Sequence, residues 1–245
     1  MKRGILILLA LCLCSTVPAF AESLSWTVAT GMEPGGVATD ASGNIYVTNG
    51  GGNTLQRFSS AGGLVWTVAT GMVPNGVTTD ASGNIYVTNN GSNSLEKFSS
   101  VGGSVWTVAT GMEPCGVATD ASGNIYVINN GGNTLQKFSS VGGSVWTVAT
   151  GTLPMGVATD ASGNIYVTNY GSNSLKKFSS AGGSVWTVAT GLNPISVATD
   201  PSGNIYVANL ICLPVVKKKQ YSLDTVSYRE VAAFLCFQSI NREAT

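Results

Sequence analysis

The string Trp-Thr-Val-Ala-Thr-Gly occurs five times, opened by Trp26, Trp66, Trp106, Trp146 and Trp186, at a period of 40 residues with no insertion. A fixed period of this length confines the chain to stacked copies of one small motif, because a single copy cannot bury its own apolar surface. Within the first repeat the pattern predicts four short strands, at Ser25–Ala29, Gly36–Asp40, Asn44–Thr48 and Thr54–Phe58. The Asp40-Ala41-Ser42-Gly43-Asn44 link predicts a hairpin. Asp closes a turn through its carboxylate, and Gly accepts the left-handed conformation of a type I turn followed by a bulge. The link recurs at Asp80, Asp120, Asp160 and Asp200. In the next strand Ile45 and Val47 alternate with Tyr46 and Thr48, the period of two that gives a sheet two different faces.

Four antiparallel strands per 40 residues stack radially, whereas a solenoid or β-helix uses shorter repeats and parallel coils. The expected fold is therefore all-β: a β-propeller of about five four-stranded blades, incomplete or open, with a short non-repeat C-terminal tail. Composition agrees, with 31 glycines and only 10% charged residues in 245. Acidic and basic residues balance at 12 each, which gives no long-range field for nucleic acid or an anionic membrane.

The run from Pro34 through Gly36-Val37-Ala38-Thr39-Asp40 and Gly43-Asn44-Ile45-Tyr46-Val47 to Leu55-Gln56-Arg57-Phe58 resembles an NHL-type β-propeller repeat. The resemblance covers residues 24 to 209. NHL propellers usually close with six blades, so five copies depart from the family pattern. The resemblance implies a rigid face for protein partners or extracellular glycans. It also implies an alternative: a metal-dependent propeller enzyme of the lyase or lactonase kind, with the metal held at the central channel by histidine or several carboxylates.

Domain boundaries follow from the repeat. Lys2 and Arg3, the apolar run Gly4 to Cys14 and Ala19-Phe20-Ala21 predict a signal peptide over 1–21, cleaved after Ala21, and hence a secreted or periplasmic protein without stable membrane insertion. Repeats fill 22–209. The tail, 210–245, contains Lys217-Lys218-Lys219 and a segment read as a short helix over about 227–240. The repeat stops inside a blade, after Asn209. Two readings stand: a tail that covers an open edge, or an interrupted frame that leaves a repeat fragment without independent function. An open edge also predicts oligomers.

Chemistry-bearing residues are sparse. The chain has no histidine, and Cys115, Cys212 and Cys236 make an odd set without zinc spacing. The five turn aspartates read as caps; one carboxylate per turn falls short of a calcium shell of six to eight oxygens. The five tryptophans read as packing residues. No catalytic, cofactor or metal residue is expected, and the chain is expected not to be an enzyme. Variation between repeats instead falls on two links that open on one face of a propeller. It comprises Glu33, Val73, Glu113, Leu153 and Asn193; Gly35, Asn75, Cys115, Met155 and Ile195; and Gly50, Asn90, Asn130 and Tyr170. This set is the candidate binding face, for a protein or carbohydrate.

Overall fold

A computed structural model describes residues 26–211 and 236–240. The first sheet is an antiparallel meander of β1 (Pro34–Thr39), β2 (Ile45–Asn49), β3 (Thr54–Phe58) and β4 (Leu64–Ala69). Three more four-stranded sheets follow: β5 (Pro74–Thr79) to β8 (Ser104–Ala109), β9 (Pro114–Thr119) to β12 (Ser144–Ala149), and β13 (Pro154–Thr159) to β16 (Ser184–Ala189). The fifth sheet has three strands, β17 (Leu192–Thr199), β18 (Ile205–Ile211) and β19 (Cys236–Ile240). First strands of successive sheets touch one another, β1 to β5 to β9 to β13 to β17, so the sheets are blades and their first strands line the inside. The fold is an open, all-β propeller.

Each 40-residue period therefore straddles two blades: the Trp66 strand closes the first blade and is not the opening strand of the second. The strand expected at Ser25–Ala29 is not formed over its described residues. Residues 26–30 form no strand, although their sequence matches Trp66–Thr70. Trp26 still stands where an outer strand of a preceding blade would stand. A Cβ added to Gly62 would lie 3.0 Å from its ring, as one added to Gly102 would lie 3.2 Å from Trp66. The tail also departs from expectation. Cys236–Ile240, read as part of a helix over 227–240, is the strand β19, while 227–235 lie outside the described residues, as does the signal-peptide segment. Its register on β18 pairs Asn209 with Cys236 and Ile205 with Ile240, the register in which Asn49 meets Thr54 and Ile45 meets Phe58. The non-repeat tail thus supplies the third strand that the repeat region omits.

Blades pack through unlike faces. One blade gives Tyr46 and Leu55; the next gives Val77, Ile85, Val87 and Phe98, with Trp66 and Val68 closing the outer end. The same arrangement recurs at the other junctions. Tyr46, Tyr86 and Tyr126 are completely buried and bring large apolar rings into this layer, the main source of stability in a stacked repeat. Backbone latches add to it: the hydroxyls of Thr79, Thr119, Thr159 and Thr199 each donate to the carbonyl 40 residues earlier, at 2.8–2.9 Å.

The Asp turn is a folding device. Oδ1 of Asp120 accepts the N–H groups of Ser122 and Asn124, and Oδ2 accepts Asn124 Nδ2 and the Tyr126 hydroxyl, all within 2.7–2.9 Å. Gly123 has φ 77°, as the type I turn with a bulge requires. Burial alone would raise the Asp120 carboxyl, but the bonds from Asn124, Tyr126 and Ser122 outweigh it and hold the group below its ordinary 3.8. Burial, then the bond to Asp120, pushes the Tyr126 hydroxyl well above its ordinary 10.0; at Tyr46 the same causes push it to about 12.

These directions fix a pH window. The depressed carboxyls contribute stability that is present above their unfolded pKa and is lost as pH falls through the folded value. The raised tyrosines contribute stability that is complete below pH 10 and is lost as pH rises toward 12. Urea midpoints measured across pH should form a plateau that falls on the acid side below about 4 and on the alkaline side above about 10. Tyr126→Phe should cost about 1 kcal/mol and flatten part of the alkaline limb, and Asp120→Ala about 2 kcal/mol, because the buried hydroxyl then loses its acceptor. An alkaline limb unchanged in Tyr126→Phe would refute the assignment.

Candidate functional site

The variable links converge on one face because the backbone ties them there. In each of the first four blades the link into the innermost strand lies against the link between the second and third strands. Gly50 N–H donates to Glu33 O, Asn90 to Val73, Asn130 to Glu113 and Tyr170 to Leu153, at 2.8–3.0 Å. A second clamp joins neighbouring blades: Oδ1 of Asn53, Asn93, Asn133 and Asn173 accepts the N–H of Val73, Glu113, Leu153 and Asn193, each at 2.7 Å. Both clamps use backbone groups of the varying residue. Its side chain is left free to change.

The clamp enforces an uncommon backbone. Glu33, Val73, Glu113, Leu153 and Asn193 all sit in the left-handed region, with φ between 50° and 56°. Such a conformation costs an L-residue about 1–2 kcal/mol and is most unfavourable for a β-branched one such as Val73. Strain kept on a rigid loop presents a side chain in one fixed direction. The sequence does not announce these conformations, since no glycine marks them. The invariant asparagines at 53, 93, 133 and 173 were the available signal.

Of the residues expected on this face, Glu33, Gly35, Val73, Asn75, Glu113, Leu153 and Met155 are exposed, and Gly50, Asn90, Asn130, Tyr170, Asn193 and Ile195 are half-buried. Cys115 is not on it. It is buried between the third and fourth blades, its thiol facing the carbonyls of Pro154 and Met155 at 3.6 Å, because a small apolar group fills the junction there. Burial pushes its pKa up to about 11, which keeps it a protonated thiol at neutral pH.

Sequence reading passed over two further sets. Met32, Met72 and Met112 stand beside Glu33, Val73 and Glu113 and are 69%, 61% and 62% exposed. Beneath the face, the third-strand position occupied by Gln56, Glu96, Gln136 and Lys176 decides which group holds the loop. Gln56, Glu96 and Gln136 accept the N–H of Gly31, Gly71 and Gly111 at 2.9–3.2 Å. Lys176 has no acceptor, so Asn169 Oδ1 takes Gly151 N–H instead, at 2.8 Å. The equivalent Oδ1 atoms of Asn49, Asn89 and Asn129 are buried without a protein partner.

Clefts open on the other face, between the Asp turns. One, of about 490 Å³, is lined by Asp120, Asn124, Lys137, Asp160, Ser162 and Ser180. Its carboxylates already accept four hydrogen bonds each, which leaves them committed to the turns. On the variable face Nδ2 of Asn90 and of Asn130 donates to the Pro114 and Pro154 carbonyls of the next blade at 3.4 and 2.8 Å, but Glu33, Val73, Glu113 and Leu153 are exposed on clamped backbone, which makes it the better candidate. Among the described residues no three His, Cys, Asp or Glu side chains group as metal ligands.

No family model and no curated protein matches the chain. Solved structures do. Streptogramin B lyase aligns with a TM-score of 0.68 at 16% identity, over 74% of this chain and 63% of that one. Hydrazine synthase of Kuenenia stuttgartiensis aligns at 0.67 and 17%, over 80% and 62%. Virginiamycin B lyase from Staphylococcus aureus aligns at 0.65 and 13%, over 72% and 63%, and a catalytically inactive variant with one histidine changed to alanine has been solved with quinupristin. The chain thus spans under two thirds of the length of these structures. At such identity the likeness establishes the fold, a β-propeller. It also overturns the expectation that the chain is not an enzyme, because the fold is shared with two lyases.

Two measurements follow. Val73→Asn should raise stability by about 1 kcal/mol in urea melts, since asparagine tolerates the left-handed region; a loss would mean that Val73 is not strained. Peptide-resolved alkylation should modify Cys115 in the folded chain far more slowly than in urea, with a rate that climbs as pH approaches 11.

Proposed function

We propose that this chain is an exported NHL-type propeller that binds a protein or carbohydrate ligand on its variable face. The observation that carries the reading is the contrast between the two faces. On one, every blade repeats the same Asp-x-Ser-Gly-Asn turn; on the other, side chains differ from blade to blade while invariant asparagines hold their backbone in place. Rigid loops of varied composition are where recognition is built on repeat scaffolds.

A second reading, lyase-like catalysis, is favoured by the fold shared with two lyases. This sequence has no histidine, so in that reading a face carboxylate, Glu33 or Glu113, is the group placed to move a proton.

Capture of arrayed glycans and of displayed peptides should fall at least ~10-fold, about 1.4 kcal/mol, when Glu33, Glu113 and Tyr170 are changed together to alanine, with the melting temperature unchanged. Equal capture by both chains would remove the variable face from the argument. Turnover of a captured ligand that Glu113→Gln abolishes without loss of capture would favour the lyase reading.

A further inference from the structure

The exposed side chains of the variable face have a definite chemistry. Met32, Met72 and Met112 occupy the same position in three successive blades, and Val73, Leu153 and Met155 continue the apolar surface at 45%, 41% and 36% exposure. Exposed valines elsewhere, such as Val65, Val105, Val145 and Val185, recur in each of the four blades that has a fourth strand, and on the opposite face Val101 and Val141, 78% and 80% exposed, exchange only with Ala61 and Ala181. The methionine position changes to Thr152 and Leu192 and adjoins the varying residues at 33, 73 and 113. Clustered exposed apolar groups on a soluble scaffold mark contact with another apolar surface, and methionine adapts to partners of differing shape.

On the opposite face the turn aspartates and the cations lie together. Glu33 and Glu113 are exposed beside the methionines. The cations Arg57, Lys97 and Lys137 instead reach the Ser100, Ser140 and Ser180 carbonyls in turns of the opposite face, and Lys177 stands over the Tyr166 ring. Lys176 is held to Ala149 O. An aromatic ring offers a flat apolar platform for a ligand; this face has one aromatic, half-buried Tyr170, beside the amides of Asn75, Asn90, Asn130 and Asn193 and the aliphatic and thioether groups.

We infer that the ligand of the variable face is an apolar segment of a partner protein carrying lysine or arginine, seated on the methionine row with its cations at Glu33 and Glu113. This rests on the reading that the variable face binds at all. The occupant is a peptide chain rather than a sugar because the exposed side chains are mainly apolar or acidic, Asn75 being the exposed amide of the set, while Nδ2 of Asn90 and of Asn130 already donates to the carbonyls of Pro114 and Pro154.

The probe is a displayed library of random peptides, selected on the full chain. Selected peptides should be rich in Leu, Ile, Phe or Met with at least one Lys or Arg. Their affinity should drop at least ~10-fold on Met32→Ser/Met72→Ser/Met112→Ser and several-fold on Glu33→Gln/Glu113→Gln, and only the second loss should shrink at high salt. These positions are exposed, and an unchanged thermal melt establishes that the variants fold; if the serine variant melts early, Met→Gln at the same positions replaces it. Peptides without apolar or basic enrichment, or affinities indifferent to the methionines, would overturn the inference. Binding to arrayed glycans that the Glu33, Glu113 and Tyr170 change abolishes, with no peptide selected, would overturn it too while leaving the face as the binding surface. Loss of neither peptide nor glycan binding on any face substitution would sink both.

Discussion

Everything in this molecule depends on the layer between blades, where Tyr and Leu of one sheet meet Val and Ile of the next, joined by Phe at the first three junctions. A four-stranded sheet of this size has two apolar sides and no way to cover both. Stacking covers them. It also explains why so much of the repeat does not vary: each Tyr46-type residue is at once the filling of the layer and, through its hydroxyl, the partner that positions the Asp turn. Packing and turn geometry are thus one unit. The glycine ahead of each inner valine belongs to the same layer, since a side chain on Gly76 would press on the carbonyl of Cys115 in the following blade.

That coupling explains why variation gathers on the opposite end of each strand. Position 73 and its equivalents are held by backbone N–H and C=O groups, so the clamp does not read the side chain. The left-handed conformation taxes valine and leucine more than asparagine, yet all are present. A stacked array whose blade interfaces are nearly identical can tolerate a local cost of this size. Whether the face binds a ligand or turns one over, the scaffold requirement is the same: fixed directions for side chains that differ.

Much of the fold was legible because the repeat samples each structural requirement several times. Strand alternation in Ile45-Tyr46-Val47, the Asp-x-Ser-Gly-Asn turn and the packing role of the tryptophans follow from local chemistry. The outer place of the Trp strand followed from strand order, since the repeats begin on it and end on inner strands, and Trp66 does close a blade by pairing with Thr54–Phe58 before it. The third strand of the fifth blade was illegible. Cys236-Phe237-Gln238-Ser239-Ile240 shares only Gln238 with Thr54-Leu55-Gln56-Arg57-Phe58, and a contact across such a distance in sequence leaves no local signal. On the candidate face, exposure followed from loop position, whereas the burial of Cys115 depended on which way one strand turned its side chain.

The fifth blade differs from the others at the positions that would face a sixth. Gly36, Gly76, Gly116 and Gly156 leave room for the backbone of the following blade, but their counterpart is Ser196. The hydroxyls of Thr48 and Thr88 each donate to a carbonyl of the following blade at 2.6 Å, but their counterpart is Ala208. The third blade manages with Ile128 at that second position, so loss of the hydroxyl alone does not prevent stacking. Loss of the glycine is more severe. In the spacing of the internal junctions, Ser196 would put a Cβ where the next backbone must pass, and rigid backbone cannot yield as a flexible side chain can. Tyr206, on the same blade, is 39% exposed where Tyr166 is 3%. Repeat arrays need end units that resist further stacking, and among the described residues of the fifth blade Ser196 is the added side chain that would supply such resistance.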